Sequence, residues 1–186
     1  TGKAGTGKTT FLKDLKTNGL KQTVIIAPTG VAAINAGGTT IHSFFQLPFS
    51  PFIPGRSFHE NPLAQNAGKY RLTAEKKSLM QSMNLLVIDE VSMVRADTLD
   101  GIDAILRYIR KQPLLPFGGV QVLYIGDMYQ LPPVIKDDEW KLLEPYYSSA
   151  YFFSSKVFAE QPPVYIELEK VYRQKDQIFI DLLNKV

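Results

Sequence analysis

Gly2 to Thr9 read Gly-Lys-Ala-Gly-Thr-Gly-Lys-Thr, which is the spacing G-x-x-x-x-G-K-[ST] of a phosphate-binding loop. The chemistry is anion capture. Glycines let successive backbone N–H groups turn toward the β- and γ-phosphates of a nucleotide, so Gly2, Ala4, Gly5, Thr6 and Gly7 would form the cradle. Lys8 reaches those phosphates as a point charge, and the hydroxyl of Thr9 suits Mg²⁺. Thr9 and Thr10 then open a helix whose positive end faces the anion.

Leu85-Leu86-Val87-Ile88-Asp89-Glu90 supplies the complementary acids. A run of apolar residues ending in carboxylates reads as a buried parallel strand, with the acids at the edge where open α/β sheets bind ligands. Asp89 would serve the Mg²⁺ shell, and Glu90 would orient and deprotonate an attacking water. The bland alternatives are a glycine-rich turn ahead of a helix and a solvated acidic turn after a strand. Finding both motifs in one chain favours the nucleotide site.

Two further positions point at the same phosphate. Gly126-Asp127-Met128-Tyr129-Gln130-Leu131-Pro132-Pro133-Val134 follows a strand-like run. An uncharged amide at Gln130 can bond phosphate or water without competing for Mg²⁺, and Pro132-Pro133 stiffens the segment beyond it. Arg173, within Tyr172-Arg173-Gln174, could present a planar donor fork to the γ-phosphate; an ordinary surface arginine is its alternative.

The elements that must hold these residues alternate between strand-like and helix-like, which predicts an α/β fold with a mainly parallel sheet and helices on both faces. Helix is expected over about 8–16, with Asn18-Gly19 as its stop, and strand over Thr23–Ala27. A short helix follows Pro28-Thr29-Gly30 and closes at Gly37-Gly38. Residues 39–45 are expected to form strand and turn. Residues 46–72, with Pro48, Pro51, Pro54, Gly55, Pro62 and Gly68, read as an irregular insertion. Helices are expected over 74–83 and 96–111, the second amphipathic through Leu99, Ile102, Ile105, Leu106 and Ile109. Strands are expected over 120–125 and 164–168, and a final helix from Gln177. A phosphate-binding loop needs a strand to launch it, and only Thr1 precedes Gly2, so the chain is expected to be a piece of a longer protein.

Composition sets outer bounds. The 186 residues suffice for one domain with its own core. With no cysteine, disulfides, thiolate metal sites and cysteine nucleophiles are excluded. The net charge of +3 permits nucleic-acid binding without diagnosing it.

Taken in order, the motifs resemble the first RecA-like motor domain of a superfamily 1 DNA helicase, and more closely the PIF-type helicases. The matching pieces are Gly2–Thr10, Ala27–Ala33, Thr40–Phe44, Val87–Glu90, Gly126–Val134 and Tyr172–Gln174, with Val91–Arg110 resembling the stretch that sets PIF-type enzymes apart. The resemblance implies ATP-driven 5′-to-3′ translocation on single-stranded DNA, with ATP and Mg²⁺ as cofactors and forked duplexes or G-quadruplexes as further DNA partners. It implies a monomer with no membrane attachment, cytoplasmic in a bacterium, or nuclear or mitochondrial in a eukaryote. Pro28, Thr29 and Gly30, with His42, Ser43 and Phe44, would line the DNA channel; for Phe44 and Phe45 a place in the core is the alternative. Residues 46–72 correspond in position to a strand-splitting wedge. A second RecA-like domain would follow Val186, and ATP would bind between the two. Rival readings are a RecD-like or relaxase-type helicase, a small-molecule kinase, and a nucleotide-gated DNA-binding module without turnover.

Overall fold

The computed structural model describes residues 1–2, 5–19, 21–55 and 72–170. Ala4, the Tyr172–Gln174 motif with Arg173, most of the 46–72 insertion and the helix expected from Gln177 lie outside these residues.

Four parallel strands form the sheet among the described residues: β1 (Thr23–Ala27), β2 (Thr39–Thr40), β3 (Leu85–Ile88) and β4 (Gln121–Tyr124). Their order is β2-β1-β3-β4, with Val24 opposite Leu86 and Val87 opposite Leu123. The helices are α1 (Lys8–Asn18), α2 (Gly30–Ala36), α3 (Ile41–Phe45), α4 (Ala74–Ser82), α5 (Ala96–Ile109), α6 (Asp137–Leu143) and α7 (Lys156–Glu160).

The unbroken apolar runs of β1 and β3 are explained by burial on both faces. Because side chains alternate along a strand, Val24, Ile26, Leu86 and Ile88 join one core with Met80 of α4 and Leu99, Ile102 and Leu106 of α5. Ile25, Leu85 and Val87 join the other, with Leu12 of α1 and Ala36 of α2. The expected layering of helices on both faces is therefore present.

Three expectations need correction. Residues 41–45 form a helix rather than a turn, because Thr40 Oγ1 accepts the Ser43 N–H at 3.2 Å and caps it. Residues 164–168 form a single bridge, Leu168 to Gly2, rather than a strand; Thr1 and Gly2 are the only described residues that pair with them. Helices α6 and α7 lie in stretches not read as helical. Asp137, Asp138 and Glu139 start α6 and complement its dipole, and Ser155 Oγ caps α7.

Candidate functional site

The phosphate-binding loop meets α1 at Gly7, whose φ of 95° places it in the left-handed region that glycine adopts without penalty. The start of α1 has no side-chain cap, as is also true of α5 and α6, and no acid in its first turn. The positive end of α1 is a place that suits an anion. Lys8 Nζ folds back onto the Gly2 carbonyl. Thr9 and Thr10 are exposed beside it.

Asp89 and Glu90 follow β3, and the Asp89 N–H donates to Ile26 O at 2.9 Å, at the carboxyl edge of the sheet. Glu90 has φ 51° and ψ 46°, a left-handed conformation uncommon for a residue with a side chain. Local backbone strain of this kind concentrates at working sites, where the surroundings hold it in place. Burial pushes the Asp89 carboxyl above its ordinary pKa, opposed by a hydrogen bond from the Glu90 backbone and by Lys8. Glu90 is also pushed up, first by burial and then by the neighbouring charges of Asp89 and Asp127, with Lys8 opposing. Lys8, Asp89, Glu90 and Asp127 therefore form one electrostatic cluster.

Gly126 makes that convergence possible. A Cβ at this position would lie 3.0 Å from Val91 Cγ1 and 3.1 Å from Val91 N, so a side chain would push apart the segments that carry Glu90 and Gln130. The Gly126 carbonyl also accepts the Thr1 hydroxyl at 2.8 Å, joining the entrance of the phosphate loop to the same edge. Asp127, buried, accepts the Tyr129 N–H at 3.1 Å and the Gln130 Nε2–H at 3.3 Å. This leaves Oε1 of the Gln130 side chain as the atom turned away from Asp127. Sequence reasoning did not single out Asp127; its place between a strand end and Gln130 was the available signal.

A second surface lies along the same edge. Pro28 follows β1, and Thr29 Oγ1 caps α2 by accepting the Ala32 N–H at 3.2 Å. Gly30 starts the helix, with open space where a side chain would stand. His42 is half-buried and stacks on Phe49, ring centroids 5.1 Å apart and planes 18° from parallel. Ser43 is exposed, and its carbonyl accepts Lys76 Nζ at 2.6 Å. Phe44 is corrected: at 4 % exposure it belongs to the core, edge-on to Phe45, because α3 turns it toward the sheet. The exposed ring is Phe49, at 84 %, which sequence reasoning placed in the irregular stretch. A cavity of about 500 Å³ opens beside it, walled by Pro28, Thr29 and His42 on one side and by Val134, Lys136 and Glu139 on the other.

Among the described residues no helix is long and apolar enough to cross a membrane, and no group of three or more His, Asp or Glu side chains could hold a metal by itself.

Residues 1–184 match the family model of the PIF1-like helicases. The chain is 40 % identical over 190 residues to the human ATP-dependent DNA helicase PIF1, covering all of this chain and 26 % of that protein. To the Saccharomyces cerevisiae PIF1 it is 36 % identical, again over all of this chain and covering 20 % of that protein. The crystal structure of Bacteroides Pif1 bound to single-stranded DNA superposes with a TM-score of 0.89 at 45 % identity, over 99 % of this chain and 41 % of that one. The Bacteroides enzyme in complex with ADP-AlF3 and single-stranded DNA gives the same TM-score and identity. The chain thus spans about a quarter or less of the curated relatives named here and about two fifths of these solved structures. Its fold is the RecA-like α/β domain of those structures, and it belongs to the PIF1-like helicase family.

Proposed function

We propose that this chain is the first motor domain of an ATP-dependent DNA helicase that moves 5′ to 3′ on single-stranded DNA. The observation that carries the reading is the convergence of Lys8 at the start of α1, the strained Asp89-Glu90 corner and the Asp127-held Gln130 on one sheet edge. The relatives support it: one is solved with ADP-AlF3 and single-stranded DNA, and another structure addresses unwinding at forked duplex DNA.

In this reading the N–H groups of Gly5–Thr10 and the Lys8 ammonium hold the β- and γ-phosphates. Glu90 takes a proton from water aimed at the γ-phosphorus. Its raised pKa makes it a stronger base, and its left-handed backbone presents it to the edge. Gln130 offers Oε1 to that water, oriented by Asp127. Asp89 and Thr9 supply the hard oxygen donors that suit Mg²⁺, which usually keeps waters and substrate phosphates in its shell. When bound, that ion neutralises charge on the phosphates. Arg173 would serve the γ-phosphate from beyond the described residues. Pro28–Gly30, His42, Ser43 and Phe49 form half of the DNA track: the open space at Gly30 leaves room for a backbone phosphate, and Phe49 offers a face to a base. Glu90, Gln130 and water form a set for hydrolysis, which disfavours a kinase.

Strand displacement by the full-length protein tests this reading. A duplex with a 5′ single-stranded tail should be unwound on addition of ATP, and one with only a 3′ tail should not. Unwinding of the 3′-tailed duplex, or no ATP-dependent unwinding of either, would contradict it.

A further inference from the structure

Arg95 lines the cavity beside Phe49, and its guanidinium joins α5 to α6. It stands at the start of α5. Nε and Nη2 donate to Asp97 Oδ1 and Oδ2 at 2.8 and 2.7 Å, and Nη1 donates to Glu139 Oε2 at 2.8 Å. Glu139 lies in the first turn of α6, the helix that follows the Gln130–Val134 segment. Asp97 Oδ2 also accepts the Phe52 N–H at 3.0 Å, so the same anchor fixes the stretch carrying Phe49. The three charged side chains are shielded, at 15 % exposure for Arg95, 3 % for Asp97 and 21 % for Glu139. Arg95 is felt at His42: burial lowers the His42 pKa most, Arg95 lowers it further, and Asp97 opposes.

We infer that Arg95 and Glu139 are positioning residues that couple the nucleotide state to the grip on DNA. The inference rests on the two sites read above. Pro132-Pro133 leaves little slack between Gln130 and α6, so movement of Gln130 with the γ-phosphate displaces α6 rather than being absorbed. A bidentate guanidinium–carboxylate pair holds orientation as well as distance. The Glu139–Arg95–Asp97 bridge then carries the displacement to the Phe52 backbone, and with it to the wall that bears Phe49 and stacks on His42. The cavity between these walls is the space whose width would change. Arg95 was not a candidate on sequence grounds, because nothing in its spacing marks it apart from other surface arginines.

The test uses the full-length protein and oligo-dT. Its DNA affinity is measured by fluorescence anisotropy once with ADP and once with ADP and aluminium fluoride. The parent should show a ratio of affinities of about 5–150-fold, the range usual for coupled sites. Glu139→Ala removes the link to α6 and leaves the Arg95–Asp97–Phe52 anchor in place, so that ratio should fall to within about twofold of unity. Glu139→Gln, which can still accept from Arg95, should fall between the two and serves if the alanine variant folds poorly. A purely structural role lowers the active fraction equally in both nucleotide states and leaves the ratio alone. Both variants keeping the parent ratio would overturn the inference while leaving the site reading intact. A parent that binds no DNA in either state would instead overturn the reading on which the inference rests.

Discussion

Glu90 is the residue proposed to activate water, and its environment makes two demands visible at once. Burial and the charges of Asp89 and Asp127 raise its pKa, so the folded state holds its proton more tightly than the unfolded chain does. The stability gained from that proton is complete below the ordinary carboxylate range and is lost as pH rises through the raised value. At neutral pH the ionised Glu90 therefore weighs against the fold. Glu90→Gln should keep nucleotide binding, reduce turnover by about 10²–10⁴-fold, and raise Tm at pH 7 but not in acid. Thermal melts across pH beside steady-state ATPase assays check both halves, and an unchanged turnover would remove Glu90 as the base. The aromatic pair gives a second contrast at this scale. Phe49→Ala should cost about 1–3 kcal/mol of DNA affinity if it stacks on a base, with little change in Tm. Phe44→Ala should cost about 3–5 kcal/mol of stability and leave DNA affinity per folded molecule unchanged. The reverse pattern, from anisotropy titrations and urea melts, would return the stacking role to Phe44.

At the scale of elements, α5 organises the half of the molecule beside the Phe49 cavity. Asp100 on α5 accepts the Lys156 and Val157 N–H groups, both at 3.0 Å, and the Tyr147 hydroxyl at 2.8 Å, so one carboxylate holds the start of α7 and the segment before it. Arg110, just past α5, donates to the carbonyls of Met80, Gln81, Met83 and Gly118, which ties α4 and the approach to β4 to the same helix. Asp100→Ala would strand three donors in a buried place, and we expect a loss of about 2–4 kcal/mol in urea unfolding. A loss under about 0.5 kcal/mol, the ordinary range of surface changes, would contradict this account of α5. Elements of this kind also show where sequence reasoning succeeds. Strands β1 and β3 were legible as short unbroken apolar runs, α1 as the helix that must follow a phosphate-binding loop, and α5 by its apolar period. The start of the 41–45 helix was hidden because it depends on a single Thr40 cap, and α6 because acids in a first turn look like a solvated loop. Phe44 carried two readings, stacking face or core, because composition marks an aromatic but not the face of a five-residue helix on which it falls. The residues of the proposed nucleotide site could be named from sequence because each of its motifs is contiguous. Most of the proposed DNA track could be named only through the family resemblance, and Phe49 and the Arg95 bridge not at all, because they join residues from segments far apart in the chain.

At the scale of the whole molecule, one sheet edge carries two sites. The phosphate loop, Asp89-Glu90 and Gln130 form the proposed nucleotide site; Pro28–Gly30, His42 and Phe49 form the proposed DNA track. Segment 127–139 passes from the first to the second, with Pro132-Pro133 and the Glu139–Arg95 pair limiting its freedom. The central claim is that hydrolysis at one end answers to DNA at the other. The direct measurement is steady-state phosphate release by the full-length protein, with and without single-stranded oligo-dT, for the parent and for Lys8→Ala. We predict hydrolysis by the parent that oligo-dT stimulates at least about fivefold, the lower range of coupled sites, and none above background for Lys8→Ala. Parent hydrolysis indifferent to DNA, or parent-level hydrolysis by Lys8→Ala, would contradict the account.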